Sequence, residues 1–551
     1  MENIGADLEE MKRVPLERAH VDAIAAIGET RDYEEGEMVA EVGDPMDRFV
    51  YVLTGEIEVV DPYSGARMLE SSLGPTQFMG ELAFLNAGSF TLPMRAAKPT
   101  RTLEAPREAM LDLMSKRPEL SDHVIGVFSA RRRKQFEDHR SAIKLIGADQ
   151  DSKVQEVARF LSRNRIPFQS FDLDNPEGEG IQLCQLADHE PAVIFNEGMI
   201  LDDPTPRAVA RLLGLDLNVC ERAEVDLLIV GGGPAGVAAA VYAGAEGLKA
   251  LVIEDRAIGG QAGTSSRIEN YMGFPTGISG ADLVYRGQVQ AMKFGTRFVM
   301  PRRVVELCRT EDGRFCARLD DDGDEVCAHA VLVATGVQYR RLPLENLRTF
   351  EGAGVYYAAT EMEARFCAGK IAYIIGGGNS AGQAAMFLSR HAACVKLVVR
   401  GDSLADSMSS YLRDRLEADP AIEIHYDCEI SALHGEERLE EVTRACGDEE
   451  LREPCGGLFI MIGAAPNTDW LSGLVELDEK GFVKTGEAAG KASPFETSCE
   501  GIFAVGDVRA SSIKRVASAV GEGSVVVSAI WSHVAARREE LGEDAPGEME
   551  D

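Results

Sequence analysis

At 551 residues the chain is long enough for three to four domains, and 45% hydrophobic with 27% charged residues is an ordinary globular composition. Acids outnumber bases 91 to 57, a formal charge of −34. Such a surface repels phosphate backbones and anionic membranes, which sets nucleic acid and membrane aside as partners.

The first residues, MENIGADLEEM, lack the basic, apolar and small-residue regions of a signal peptide. No apolar stretch approaches the roughly 20 residues needed to span a bilayer, so the expectation is a cytoplasmic protein. Its 11 cysteines show no C-x-x-C and no cysteine–histidine metal spacing. In a reducing compartment the expectation is buried free thiols and no metal.

Residues 15–135 form the first expected domain. Its short strands alternate apolar and polar residues between regular glycines, which predicts a small β-barrel or jelly roll. Gly36, Gly43-Asp44, Tyr51-Val52-Leu53, Gly55 and Phe78-Met79-Gly80-Glu81-Leu82 resemble a cyclic-nucleotide-binding domain. The resemblance implies that Glu81 holds a ribose hydroxyl and that an arginine a few residues later holds the cyclic phosphate. The chain then reads S-F-T-L-P-M-R, so Arg95 arrives late as a substitute. An anion desolvated without its countercharge binds poorly, which favours a structural or docking domain over a cyclic-nucleotide site. Leu111–Arg140 reads as helix, with Arg131-Arg132-Arg133-Lys134 as a solvated face.

Residues 142–217 form a second, small α/β domain. Ile143–Ile146 reads as strand, Lys153–Asn164 as helix and Pro167–Asp172 as strand. A strand–turn–strand after Pro191 and a helix at Pro206–Leu213 complete it. The order resembles the thioredoxin fold, with Pro191 in the place of its cis-proline. The loop G-A-D-Q-D-S carries no thiolate for disulfide exchange, so a scaffold is expected; the alternative is an isolated redox thiol at Cys184 or Cys220.

Val225–Val230 is an apolar run, as in a strand buried on both faces, followed by Gly231, Gly233-Pro234-Ala235-Gly236 and a helical pattern. A second strand, Ala250–Ile253, ends in Glu254. In G-x-G-x-x-G the first glycine turns tightly, the second admits a pyrophosphate and the third packs helix on strand. The acid takes a ribose hydroxyl.

A second such unit runs from strand Ile371–Ile375 through Gly376, Gly378, Asn379, Ser380 and Ala381 to strand Val395–Val399 and Arg400. An arginine at this end accommodates a 2′-phosphate, which favours NADPH over NADH. Asp320–Asp324 lacks the ligand spacing of a calcium loop and reads as a hairpin turn.

From Val225 to about Ala536 the chain resembles the low-molecular-weight thioredoxin reductases. The resemblance rests on the glycine loops and on Gly259-Gly260-Gln261, Ile268–Pro275 with Asn270, Ala334-Thr335-Gly336, Gly501–Asp507 and Ala517–Gly523. It implies an α/β module with the FAD domain at 224–342 and 461–537 and an NAD(P) domain inserted at 343–460. It also implies a homodimer whose two nucleotide domains move between half-reactions. Gly260, Gln261 and Asn270 then line the flavin side, with Thr335 and Gly336 at the strand end. Gly506 and Asp507 take the ribityl chain, and Lys514, Arg515 and Val516 lead the helix that faces the ring.

The family reads roughly Y-C-A-T-C-D where this chain has Tyr357-Ala358-Ala359-Thr360-Glu361-Met362, so Ala358 and Glu361 replace the dithiol. Thiolate exchange by that route is lost, and Glu361 is either a proton donor or a solvated helix-start residue. The expected function is an FAD-dependent NAD(P)H oxidoreductase with a small-molecule or protein acceptor. The alternative is a flavin-containing sensor or docking protein. Glu539–Asp551 reads as an acidic, disordered tail.

Overall fold

The computed structural model describes residues 14–546 apart from 42, 61–65, 68–71, 81, 89, 91–92, 138–142, 148–151, 165, 167, 174–190, 196–198, 214, 216–221, 266–267, 269, 321–323, 352, 358, 360, 406–407, 437 and 472. Two compact units emerge, one from residues 1–336 with 467–551 and one from Val337–Pro466.

The first unit begins with helix α1 (Arg18–Ala25) and strands β1 (Glu29–Tyr33), β2 (Met38–Ala40), β3 (Arg48–Val59) and β4 (Met94–Pro106). Among the described residues these strands make an antiparallel sheet in the order β1-β4-β2 with β3 on β4, the small β domain expected for this part of the chain. Three register shifts between Val52 and Ile57, with Gly55 at φ +96, bend β3 along β4. The single expected helix is two, α2 (Arg107–Lys116) and α3 (Pro118–Glu137), because Pro118 cannot continue the first. Arg131 also departs from a solvated face: its guanidinium donates to the Gly80 carbonyl at 2.9 Å and lies over the Phe78 ring.

The small α/β part matches its expected order closely: β5 (Ile143–Gly147), α4 (Ser152–Arg163), β6 (Gln169–Asp172), β7 (Ala192–Phe195), β8 (Met199–Asp202) and α5 (Pro206–Leu212). The sheet order is β6-β5-β7-β8, with β5 and β6 parallel and the last two strands antiparallel. Cys184 and Cys220 lie outside the described residues.

Strand β9 (Arg222–Val230) leads into helix α6 (Pro234–Ala245) and strand β10 (Ala250–Ile253). Helix α7 (Gly280–Lys293), strand β11 (Arg297–Val299), the antiparallel strands β12 (Val304–Arg309) and β13 (Phe315–Leu319), and β14 (Glu325–Val333) follow. Strands β13 and β14 pair antiparallel, and residues 321–323 of the Asp320–Asp324 segment between them lie outside the described residues.

The second unit is a parallel sheet with an antiparallel annex. Strands β15 (Val337–Tyr339) and β16 (Val355–Tyr356), helix α8 (Glu361–Phe366), strand β17 (Ile371–Ile375), helix α9 (Asn379–Leu388) and strands β18 (Cys394–Val398) and β19 (Ile422–His425) come first. The annex, β20 (Cys428–His434), β21 (Glu441–Cys446) and β22 (Glu449–Pro454), precedes β23 (Gly457–Ile460) and β24 (Ala464–Pro466). Because β15 and β24 pair with each other, the unit starts six residues before the expected 343 and ends six after 460.

Strand β25 (Ile502–Ala504) then pairs with β14, completing the order β11-β10-β9-β14-β13-β12 with β25 on β14. Helix α10 (Val516–Leu541) closes the chain. Two expectations fail here. Length and composition alone would let α10 cross a membrane, yet its stripe of Gly523, Val526, Val527, Ile530 and Val534 is buried in the unit's core. The acidic tail is also shorter than expected. The helix runs to Leu541, and beyond it Glu543 pairs with His329 at 3.1 Å while Arg538 pairs with buried Asp226 at 2.8 Å.

Cysteine usage departs as well. Cys367 and Cys455 are buried free thiols as expected, but Cys316 bonds Cys327 and Cys428 bonds Cys446. Each bridge joins residues directly opposite on antiparallel strands, a proximity that depends on register.

Candidate functional site

The first crevice grows from β9. Leu227, Leu228 and Ile229 are fully buried, as a parallel strand covered on both faces requires. Gly231 then takes φ +110, a left-handed turn that an L side chain resists. A Cβ on Gly236 would stand 1.9 Å from the Gly231 carbonyl, so only glycine lets α6 start against the strand. The Gly233 and Gly260 backbones face each other, and a Cβ on Gly260 would sit 3.1 Å from Gly233 Cα. That narrow, side-chain-free cradle at the start of α6 suits a pyrophosphate, with Pro234 at the first helical turn.

Glu254 is buried at the end of β10. The Gly232 N–H donates to its Oε2 at 2.7 Å and the Arg256 N–H to its Oε1 at 3.2 Å. Burial first, and the adjacent Asp255 second, push its carboxyl well above the usual range, and the two backbone donors only partly oppose this. An acceptor so placed beside the glycine loop is built to receive a hydroxyl.

Gln261 and Asn270 are exposed on the segment after Gly260. Ala334 closes the other side, its carbonyl 2.4 Å from where a Gly231 Cβ would be. Thr335 Oγ1 donates to the Asn467 carbonyl at 2.8 Å, and Asn467 Nδ2 returns a bond to the Thr335 carbonyl at 2.9 Å, beside Gly336.

Gly506 and Asp507 follow β25, and burial raises the Asp507 carboxyl against the opposing charge of Lys514. Lys514 lies over the Phe482 ring, and Arg515 caps α10, whose first residue is Val516. Sequence reasoning missed Glu522. Its carboxylate accepts from the Gly506 N–H at 2.6 Å and from Arg509 at 2.7 Å, so it fixes the loop that presents Asp507. The only signal was an acid inside the small-residue run A-V-G-E-G.

The second crevice, in the other unit, repeats the device. Gly376 donates its N–H to Val398 at 3.1 Å, and a Cβ on it would meet the Met461 carbonyl at 2.5 Å. Gly378 caps α9, which begins at Asn379 and Ser380; Ala381 is buried, and Asn379 Oδ1 accepts from Ser409 N–H at 2.9 Å. Arg400 stands exposed just past β18, its flanks held by backbone bonds from Cys428 to Val399 at 3.2 Å and from Asp427 to Gly401 at 3.1 Å.

Ala358 lies outside the described residues. Glu361 opens the six-residue α8, the helix-start position expected for it. Cys367 is buried just beyond that helix and burial pushes its thiol up to about 11, so it is not a ready thiolate. In the N-terminal sheet Glu81 lies outside the described residues. β3 and β4 place Arg95 opposite Glu58, to which its Nη2 donates at 2.5 Å.

Residues 225–523 match the family described as pyridine nucleotide-disulphide oxidoreductase, and residues 30–117 match the cyclic nucleotide-binding domain. A thioredoxin reductase of Streptomyces clavuligerus is 35% identical over 327 residues, covering 58% of this chain and 98% of its own. A 34.2 kDa protein in the rubredoxin operon of Clostridium pasteurianum is 30% identical, covering 55% and 96%. Among solved structures, thioredoxin reductase from Streptococcus pyogenes is 29% identical with a TM-score of 0.51, covering 57% of this chain and 99% of that one.

Proposed function

The chain belongs to the pyridine nucleotide-disulphide oxidoreductase family, and from that premise we propose an FAD-dependent NAD(P)H:acceptor oxidoreductase that works without the family's dithiol. The observation that carries it is the pair of strand–glycine loop–helix crevices, one closed by Glu254 and the other by Arg400. Proteins of this family use FAD and NADPH, and the bound pair supplies hydride transfer from nicotinamide to flavin.

The chain's own residues bind and orient. The Gly233–Gly260 cradle and the start of α6 take the FAD pyrophosphate, and Glu254 takes the adenosine ribose. Glu522 holds the Gly506–Asp507 loop toward the ribityl chain. Gly376, Gly378 and the start of α9 take the nicotinamide pyrophosphate, and Arg400 the 2′-phosphate. Ala358 and Glu361 stand where the family carries its two cysteines. The acceptor is therefore a small molecule or partner protein reached without that dithiol, and Glu361 is the chain's proton source there. A homodimer belongs to this reading, supported by Val525 and Trp531 exposed on α10.

Anaerobic stopped-flow mixing with NADPH tests the proposal. Bleaching of the flavin absorbance at tens per second or faster is expected; a yellow protein that neither NADPH nor NADH bleaches sinks it. In that event the sensor reading takes over. What favours it is the shared core of the N-terminal sheet and the FAD domain, which gives a ligand or partner at the front a route to the flavin domain.

A further inference from the structure

The antiparallel ribbon β12–β13–β14 carries chemistry that the flavin reading does not use. Its register sets Cys308 opposite Cys316, and Cys316 opposite Cys327. Directly opposed residues in antiparallel strands project from the same face, so the three sulfurs form one row across three strands. The other face sends Leu307, Phe315, Ala317 and Ala328 into the core. On the cysteine face the neighbouring row is charged: Glu306 pairs with Arg318 at 2.8 Å, and Glu325 is opposite Arg318.

Within the row, Cys316 and Cys327 are bonded, with Cα atoms 4.1 Å apart, and both are buried. Cys308 is a free thiol, exposed on the edge strand, and its Sγ donates to the Cys316 carbonyl at 3.4 Å. A nucleophile and a disulfide thus share one face of one ribbon, with the nucleophile on the solvent side.

The row is also remote from the flavin crevice. Cys327 aligns with Glu224 near the start of β9, whereas the glycine loop begins after Val230 at the other end. Those six residues of strand span about 20 Å at roughly 3.3 Å each, too far for direct reduction of the bridge by the flavin.

We propose that Cys308, Cys316 and Cys327 form a thiol–disulfide exchange site whose substrates are low-molecular-weight thiols of the glutathione type, entering through Cys308. The Cys308 thiolate attacks Cys316 Sγ, the Cys316–Cys327 bond breaks and the Cys308–Cys316 bond forms. The electron pair of the broken bond leaves on Cys327 Sγ, which takes up the proton that Cys308 gave up, so this step has no net oxidation. Glu325, whose carboxylate lies within 4.8 Å of both bridge sulfurs, disfavours a bare thiolate there and couples departure to that protonation. The bridge now sits at the exposed edge. An external thiolate attacks Cys308 Sγ and frees Cys316, and a second one releases Cys308. The sum is two thiols oxidised to one small disulfide and one protein disulfide reduced to two thiols.

Full-length flavoprotein is incubated with reduced glutathione, acid-quenched, alkylated and mapped by non-reducing peptide mass spectrometry. The wild type is expected to yield chains bridged Cys308–Cys316 with Cys327 alkylated. C308S, which keeps the shape of an exposed edge position, is expected to lose the Cys316–Cys327 bridge at least tenfold more slowly. C327S, oxidised with glutathione disulfide, is expected to form the Cys308–Cys316 bridge. Equal reduction rates in wild type and C308S overturn the proposal. So does C327S with both remaining cysteines alkylated after oxidation, or wild-type protein in which Cys316 and Cys327 stay free thiols under the same oxidation. Unchanged flavin absorbance in both variants reports that the fold is kept.

Discussion

In the proposed reading Arg400, exposed just past β18, takes the 2′-phosphate of the nicotinamide donor through its guanidinium. A charge-assisted hydrogen bond is worth about 1.5–3 kcal/mol, and each 1.4 kcal/mol is tenfold in affinity. R400A is therefore expected to raise the KM for NADPH by about tenfold or more while leaving that for NADH within about twofold. Steady-state kinetics with both donors check this, and an equal rise for the two would remove Arg400 from 2′-phosphate recognition. Arg95 shows the opposite lesson. Its charge suits a phosphate, but cross-strand register also sets it against Glu58, a pairing that sequence spacing does not reveal.

The packing of α10 on α6 holds the glycine loop in place from behind. A Cβ on Gly523 would stand 2.2 Å from the Ala235 carbonyl, whereas one on Gly521 in the same helix would meet nothing within 4 Å. Glycine-to-alanine in a helix interior favours the helix by up to about 1 kcal/mol, while overpacking costs about 1–3 kcal/mol. G521A is expected to hold or slightly raise the melting temperature. G523A is expected to lower it and to weaken flavin retention, because Ala235 lies in the first turn of α6, directly after the glycine loop. Differential scanning fluorimetry with flavin release as readout separates the pair; equal behaviour of the two would mean the helices can part at little cost. The same element-level logic explains the cysteines. Positions 8 to 18 residues apart in the chain became neighbours only once strand register aligned them.

At the scale of the first unit, the N-terminal sheet is not a separate bead on a linker. Its core residues, among them Phe49, Phe84 and Phe128, belong to one cluster with Leu227, Val237 and Phe298 of the flavin half. At the seam Asn86 is buried. Its Nδ2 donates to the Phe298 carbonyl at 3.1 Å and its Oδ1 accepts from the Phe298 N–H at 3.0 Å, as a further strand on the edge of β11 would. The turn of helix Leu82–Asn86 thus ends on the sheet edge of the flavin half. N86A leaves two buried backbone groups without partners, at about 1–3 kcal/mol each. It is expected to lower the midpoint of the first urea transition measurably and to loosen any coupling between the front domain and flavin reduction. An unchanged midpoint would show that the seam is held by apolar contact alone.

The sequence alone determined both dinucleotide crevices, the inserted order of the domains and the α/β order of the small domain that precedes them. These features rest on local rules: a buried apolar run, glycines at fixed offsets and a charged residue at the next strand's end all fall within about 30 residues. Tertiary structure decided what depends on strangers in the chain meeting: Glu522 under Gly506, Glu58 against Arg95, Asn86 on β11, Arg538 on Asp226 and the sulfur row of the β12–β14 ribbon. No spacing rule reaches such pairs, because register and helix packing bring them together only after the chain has folded.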